Sequence, residues 1–271
     1  MHEIASALLV FVLLLGGTGL GVLLRPLVPE EHKAHETVQL VQLVVGMLVT
    51  FAALVLGLLT ASAKSSFDDA TTTLRTYAAE LIQLDTRLRD YGDGANDVRA
   101  RLRSYTAGAI ASTWPADAPP GDYYPRVRAQ GGDDLESTQL GVLLDSVGRE
   151  IRALAPRDRY ESALVGELAT QFERVSDTRW RLIEEAHSSI SKPFFTMLTL
   201  WLIVIFLSFG LIAPRNALAL VTIMLGAVSI ASAVYVIVDL DTPFDGPIVI
   251  ASDSMRDALA HMSRPQTALA P

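Results

Sequence analysis

Four stretches of this chain carry no Asp, Glu, Lys, Arg or His: Ile4–Leu24, Val38–Ala61, Phe194–Ala213 and Ala217–Val238. An α-helix rises about 1.5 Å per residue, so about 20 residues cross the roughly 30 Å of apolar lipid in a bilayer. Lipid supplies no hydrogen bonds, and a helix is the element that satisfies its own backbone there. The runs form two pairs, with most of the charged residues between them. The expected fold class is an all-α membrane protein: four transmembrane helices, with an extramembrane helical bundle inserted between helices two and three. On this reading residues 1–61 hold helices one and two, 62–192 the soluble insert, 193–238 helices three and four, and 239–271 an acidic turn and a short helix.

The first run is expected to stay in the membrane as a helix. A cleaved signal peptide wants a basic start and a small-x-small cleavage site. This chain begins MHEIAS, with an acid and no Lys or Arg, and the run ends in Arg25-Pro26. Hydrophobic residues make up 50% of the chain and charged residues only 19%, below the roughly 25% of soluble domains. There is no cysteine, which excludes disulfides, thiolate metal sites and cysteine nucleophiles. A net charge of −8 argues against a nucleic-acid partner, and Arg99, Arg101 and Arg103 lie among aspartates instead of forming a basic patch.

The insert reads as helices throughout. Leu74, Tyr77, Leu81, Leu84 and Leu88 recur at helical spacing between Phe67 and Tyr91, and Gly92-Asp93-Gly94 breaks the pattern. Asn96 or Asp97 is placed to cap a helix reaching Thr113. Trp114 to Gly132, rich in Pro, Gly and Tyr, reads as a loop. Leu135–Ala153 and Asp158–Ile190 are the remaining helices, with Pro156 between them. No phosphate loop, HExxH or Ser/His/Asp grouping occurs. His187, the insert's one histidine, reads as a helix-surface residue. The apolar runs also lack the intramembrane ionisable groups that a membrane enzyme or proton-coupled transporter needs. No enzyme is expected.

Helix two carries the most informative pattern. Gln39, Gly46, Ala53 and Thr60 recur every seven residues, and so do Leu43, Thr50, Gly57 and Lys64. Together they form one seam of small and polar side chains. Such a seam either packs against a neighbouring helix, as small-xxx-small faces do, or lines a water path with Gln39 and Lys64 near its mouths. The glycines at 16, 17, 19 and 21 in helix one, and at 46 and 57 in helix two, invite close backbone approach.

After helix four, Asp239, Asp241 and Asp245 crowd a short turn. Carboxylates so grouped could ligate Ca²⁺ or another cation, although the spacing is not that of an EF-hand. The alternative is a solvated turn shaped by Pro243 and Gly246. Beyond it, Ser252 or Asp253 is placed to cap a short amphipathic helix carrying Met255, Leu259 and Met262.

Basic residues near the runs bear on orientation. Arg25, Lys33 and Arg215 lie in the short loops, whereas Lys64, Arg75, Arg179, Arg181 and Lys192 flank the insert. The larger group favours a cytoplasmic insert with both termini on the same side.

Two segments carry a family resemblance: GLLTASAKSSFDDATTTLRTYAAELIQLDTRLRDY at the exit of helix two, and DLDTPFDGPIVIASDSMRDAL after helix four. With the two-plus-two arrangement they resemble the bestrophin-like family of bacterial membrane proteins. FDDATTTLRTYAAEL is richer in threonine than the family pattern, and the Gly, Thr and Ala of the seam stand where bestrophins carry bulky apolar neck residues. The resemblance implies a bacterial inner-membrane protein, a pentameric anion channel with its pore on helix two, and Ca²⁺ at an acidic cluster positioned like Asp239, Asp241 and Asp245. The partners expected are the lipid bilayer, inorganic ions and further copies of the chain as a tetramer or pentamer. The net acidic insert, by contrast, would focus cations. The competing expectation is a non-conducting scaffold or sensor whose insert binds a partner.

Overall fold

The computed structural model describes residues 2–27, 35–121, 138–187, 192–214 and 216–264. Lys33 and Arg215, which entered the orientation argument, and the expected helical residues 135–137 and 188–190 lie outside that set. Eight α-helices account for the described architecture: α1 (His2–Leu24), α2 (His35–Tyr91), α3 (Asn96–Thr113), α4 (Thr138–Ala153), α5 (Arg159–Ala186), α6 (Lys192–Ile212), α7 (Ala217–Leu240) and α8 (Asp253–Met262). There is no strand among the described residues. Four helices, α1, α2, α6 and α7, are long and apolar enough to cross a membrane.

The chain divides into two compact units: residues 1–67 with 188–249, and residues 68–187 with those from Ile250 onward. In the first unit Val10 and Leu14 of α1, Val45, Ala52 and Leu59 of α2, Leu198, Leu202 and Phe206 of α6, and Ala227, Val234 and Ile237 of α7 share one core. The outer faces stay apolar: Leu23 is 72% exposed and Leu218 is 75% exposed. In water such surface would be a liability, but against lipid it is the expected exterior.

Glycine decides how closely α1 and α6 approach. A Cβ on Gly17 would lie 3.0 Å from the Ile203 carbonyl oxygen and 3.5 Å from its Cγ2. A Cβ on Gly21 would overlap the Leu207 carbonyl, and one on Gly210 would overlap that of Thr18. The helices touch backbone to backbone, as small residues permit in lipid. Gly16 and Gly19 face open space, so only two of the four glycines in α1 serve this contact.

In the second unit the apolar positions read from the sequence meet in one core. Leu74, Leu81, Leu84 and Leu88 of α2 are buried with Leu102 and Ile110 of α3, Leu140 and Ile151 of α4, Leu168 and Val175 of α5, and Met255 and Met262 of α8. The Tyr77 and Tyr105 hydroxyls meet at 2.5 Å inside it. Burial pushes the Tyr105 hydroxyl above its ordinary pKa, against the lowering effect of the Arg179 guanidinium. The fully buried Asp85 accepts from Arg89 Nη2 at 2.9 Å and Arg99 Nε at 3.0 Å, so its charge is matched twice.

Two expected caps are not formed. The α3 cap position is Ala95, with no side-chain bond; a 3₁₀ turn, Asp93–Ala95, runs straight into the helix, and Asn96 lies inside it. Gly92 enters that turn at φ 90°, a conformation open to glycine. Ser252 occupies the α8 cap position in an αR conformation and makes no cap bond. Its hydroxyl is committed elsewhere, as described below. Asp158, in contrast, accepts the Glu161 N–H at 2.7 Å, while Glu161 accepts the Arg157 N–H at 2.7 Å. This reciprocal pair fixes the start of α5.

Candidate functional site

α2 presents three distinct faces along its membrane portion. At 3.6 residues per turn, Val45, Ala52, Leu59 and Ala63 share one side, and these are the residues buried in the core. Leu40, Met47, Phe51, Leu54 and Leu58 make a second stripe, exposed and bulky, with the Phe51 ring 6.4 Å from that of Trp201 on α6. The third face is the seam. It lies roughly 125° around the helix from the core stripe. Gln39, Leu43, Gly46, Thr50, Ala53, Gly57, Thr60 and Lys64 are all exposed.

Within one chain no atom crowds the seam glycines, although Gly46 also borders a crevice of about 910 Å³ between α2, α6 and the start of α7. A Cβ added to Gly46 or Gly57 would meet no atom within 4 Å. Gly46 and Gly57 therefore make no close helix contact inside the chain, unlike Gly21 and Gly210, whereas the small Ala52 and Ala63 of α2 are buried in the core. The seam hydroxyls are satisfied by their own helix: Thr50 donates to the Gly46 carbonyl at 2.9 Å and Thr60 to that of Leu56 at 2.8 Å. They can face lipid, a second chain or water without an orphaned donor. Lys64 is the one formal charge in the seam, and its ammonium stands 5.8 Å from the Phe67 ring centroid.

The acidic turn is framed by one of its own aspartates. Asp239 is fully buried, and its Oδ2 accepts the Ile248 N–H at 3.1 Å. The Thr242 hydroxyl bridges the carbonyls of Asp239, at 3.2 Å, and Asp245, at 3.0 Å. Gly246 sits at φ 108°, where an added Cβ would strike the Asp239 carboxylate. Asp239 thus forms the internal frame of the turn, while Asp241 is half-buried and Asp245 exposed. Among the described residues no three acidic or imidazole side chains are grouped to hold a metal ion.

A second polar constellation had no clear sequence signal. Asp117 Oδ2 accepts from the Ser252 hydroxyl at 2.6 Å and from Arg256 Nη2 at 3.3 Å. Arg256 also donates to Ser252 Oγ at 2.8 Å and to the Ala118 carbonyl at 2.8 Å. Trp114 Nε1 donates to the Ile250 carbonyl at 2.7 Å. Together these bonds clasp the segment before α8 onto the end of α3. The Ser252 hydrogen bond, aided by the Arg256 charge, holds the Asp117 carboxyl below its ordinary pKa. Asp117 and Ser252 are far apart in sequence, so spacing could not have paired them.

Four lipid-compatible helices, a core shared by all four and a seam turned away from it define a helical integral membrane protein. The chain belongs to the Bestrophin-like domain family, which it matches over residues 11–255. Solved structures share the fold. A variant of a bacterial bestrophin homologue from Klebsiella pneumoniae superposes with a TM-score of 0.65 at 15% identity, covering 94% of this chain and 98% of that one. A second variant of that homologue gives 0.62 at 15% identity, covering 92% and 95%. A structure described as a membrane protein gives 0.65 at 15% identity, covering 96% and 99%. At such identity the likeness is one of fold. No curated protein matches the sequence.

Proposed function

We propose that the chain assembles as a homo-oligomeric ion channel, a tetramer or pentamer, in which α2 faces the symmetry axis and its seam lines the pore. The observation that carries this reading is the open space around Gly57 within an exposed seam of α2. Small residues on such a face suit close approach of several copies around a narrow path. Membership of the Bestrophin-like family supports the same assignment at the level of the class. Gln39 lies near one mouth and Lys64 near the other, with uncharged Gly, Thr, Ala and Leu between them.

The test is conductance of the purified protein in planar bilayers. The wild type conducts. Gly57→Leu or Thr50→Leu narrows the path and abolishes or reshapes the current, while the oligomer keeps its size. Reversal potentials in asymmetric salt then assign the ion. Silence across voltage and pH, or a dimer in place of a ring, would overturn the channel and favour the scaffold or sensor reading.

A further inference from the structure

α5 carries a glycine that its own packing does not require. Gly166 lies inside Arg159–Ala186, and a Cβ there would meet no atom within 4 Å. Glycine inside a helix is less stable than alanine, and no neighbour in the chain needs the missing methyl. Gly166 instead lines a groove of about 440 Å³ between α2 and α5, within the second unit. That volume lies in the range of sites that hold a small molecule.

The rest of the lining is mainly polar. Arg87 of α2 and Glu167, Thr170, Gln171 and Arg174 of α5 surround the glycine. Two guanidiniums against one carboxylate leave one net positive charge, in a chain whose net charge is −8. Arg87 is held in place by its ion pair with Glu167 and keeps further N–H groups to donate. Arg174 has no ion pair or hydrogen bond among the described residues. Gln171 is 2% exposed, and its Nε2 donates to the Glu80 carbonyl at 3.4 Å, while its Oε1 has no partner among the described residues. The Thr170 hydroxyl gives its proton to the Gly166 carbonyl at 3.0 Å, so its oxygen is left to accept. Guanidinium donors and neutral acceptors thus stand side by side around an open floor.

From this arrangement we infer that the groove binds a small hydroxylated oxyanion of the polyol phosphate class. The anionic group lies against Arg174 and Arg87, and a hydroxyl donates to Gln171 Oε1 or Thr170 Oγ. An inorganic anion would leave the Gln171 acceptor unmet, and a neutral polyol would leave Arg174 unmet; a polar atom covered without a partner is the costly outcome. The groove shares no residue with the seam of α2, and its binding does not depend on conduction.

Calorimetric titration of the detergent-purified full chain tests it, with glycerol 3-phosphate, inorganic phosphate and glycerol as probes at matched ionic strength. Wild type is expected to bind glycerol 3-phosphate saturably, inorganic phosphate more weakly and glycerol not at all. Arg174→Gln should weaken glycerol 3-phosphate about tenfold, the worth of one hydrogen bond to a charged group. Gly166→Leu puts a side chain into the groove without striking a neighbour. It should abolish the heat and leave the melting temperature at or above that of wild type. Equal affinity for glycerol 3-phosphate and inorganic phosphate would make this a plain anion site and overturn the inference. A heat no different from that of sodium chloride would mean surface screening only, and Gly166→Leu that still binds would place the ligand elsewhere. A smaller oligomer in Gly166→Leu would show that a second copy of the chain fills the groove. Each of these results also overturns it.

Discussion

Gly21 of α1 and Gly210 of α6 face each other across a contact with no room for a side chain on either. A Cβ on Gly21 would lie 3.0 Å from the Gly210 Cα, and one on Gly210 would lie 3.0 Å from the Val22 nitrogen. Backbone cannot move aside as a flexible side chain can. Overpacking of this kind costs about 1–3 kcal/mol or more, so Gly21→Leu and Gly210→Leu should lower the detergent melting temperature by several degrees. Gly57→Ala meets open space and should leave a single protomer's stability nearly unchanged. A melt of Gly21→Leu that overlays the wild type would show that α1 and α6 do not meet in this way.

Asp85 should be among the most costly polar residues of the insert to lose. Its side chain is fully buried, and Arg89 and Arg99, 23% and 14% exposed, both bind it. Asp85→Ala strands two half-buried guanidinium groups, and breaking a buried pair costs about 3–5 kcal/mol. Arg101 and Glu150 form a more exposed pair, 43% and 31%, and Glu150→Ala should cost under about 1 kcal/mol. Denaturant melts of the two variants measured side by side check the ordering.

Acid should release the segment before α8, but only at low pH. The Asp117 carboxyl titrates below its ordinary value in the folded protein, so its contribution is present above the unfolded pKa and is lost as pH falls through the folded one. The Trp114 indole N–H, bonded to the Ile250 carbonyl at 2.7 Å, should stay protected from exchange from pH 8 down to about 4 and lose protection below that. Asp117→Asn should lose part of the protection already at pH 7. Loss of wild-type protection near pH 6 would assign the switch to another group.

Calcium should have no specific effect at the acidic turn. Asp239 Oδ2 accepts the Ile248 N–H from within the protein, and Asp245 is exposed. Calorimetric titration with Ca²⁺ should give no heat that Asp241→Asn removes. Asp239→Asn, in contrast, should loosen the turn with or without calcium, because an amide accepts the Ile248 N–H less strongly than a carboxylate. A saturable calcium heat abolished by Asp241→Asn would assign a cation site to the turn.

The helices were legible because each carries its own signal. Uncharged runs set the four spans, and Leu74, Tyr77, Leu81, Leu84 and Leu88 set the face that the insert buries. Gln39 to Lys64 were legible as a periodicity, but their exposure was not, since a seam of Gly and Thr reads alike whether a neighbour covers it or not. Caps were least legible. Ser252 looks like a helix cap in sequence and turns out to be bonded to Asp117, and Asn96 is displaced by a 3₁₀ turn. The aspartates 239, 241 and 245 are near in sequence, and that nearness could not tell the buried Asp239 from the exposed Asp245.

The sequence by itself determined the class of this protein. Long runs without charge can be stable only in lipid, and lipid admits only self-satisfied helices. Tertiary structure alone decided which glycines are contacts and which are surface, that Asp117 meets Ser252 and Arg256, and that α2 stands off α6 and α7 by the width of a crevice. Those outcomes rest on the distance between helices remote in sequence, and no local pattern encodes that distance.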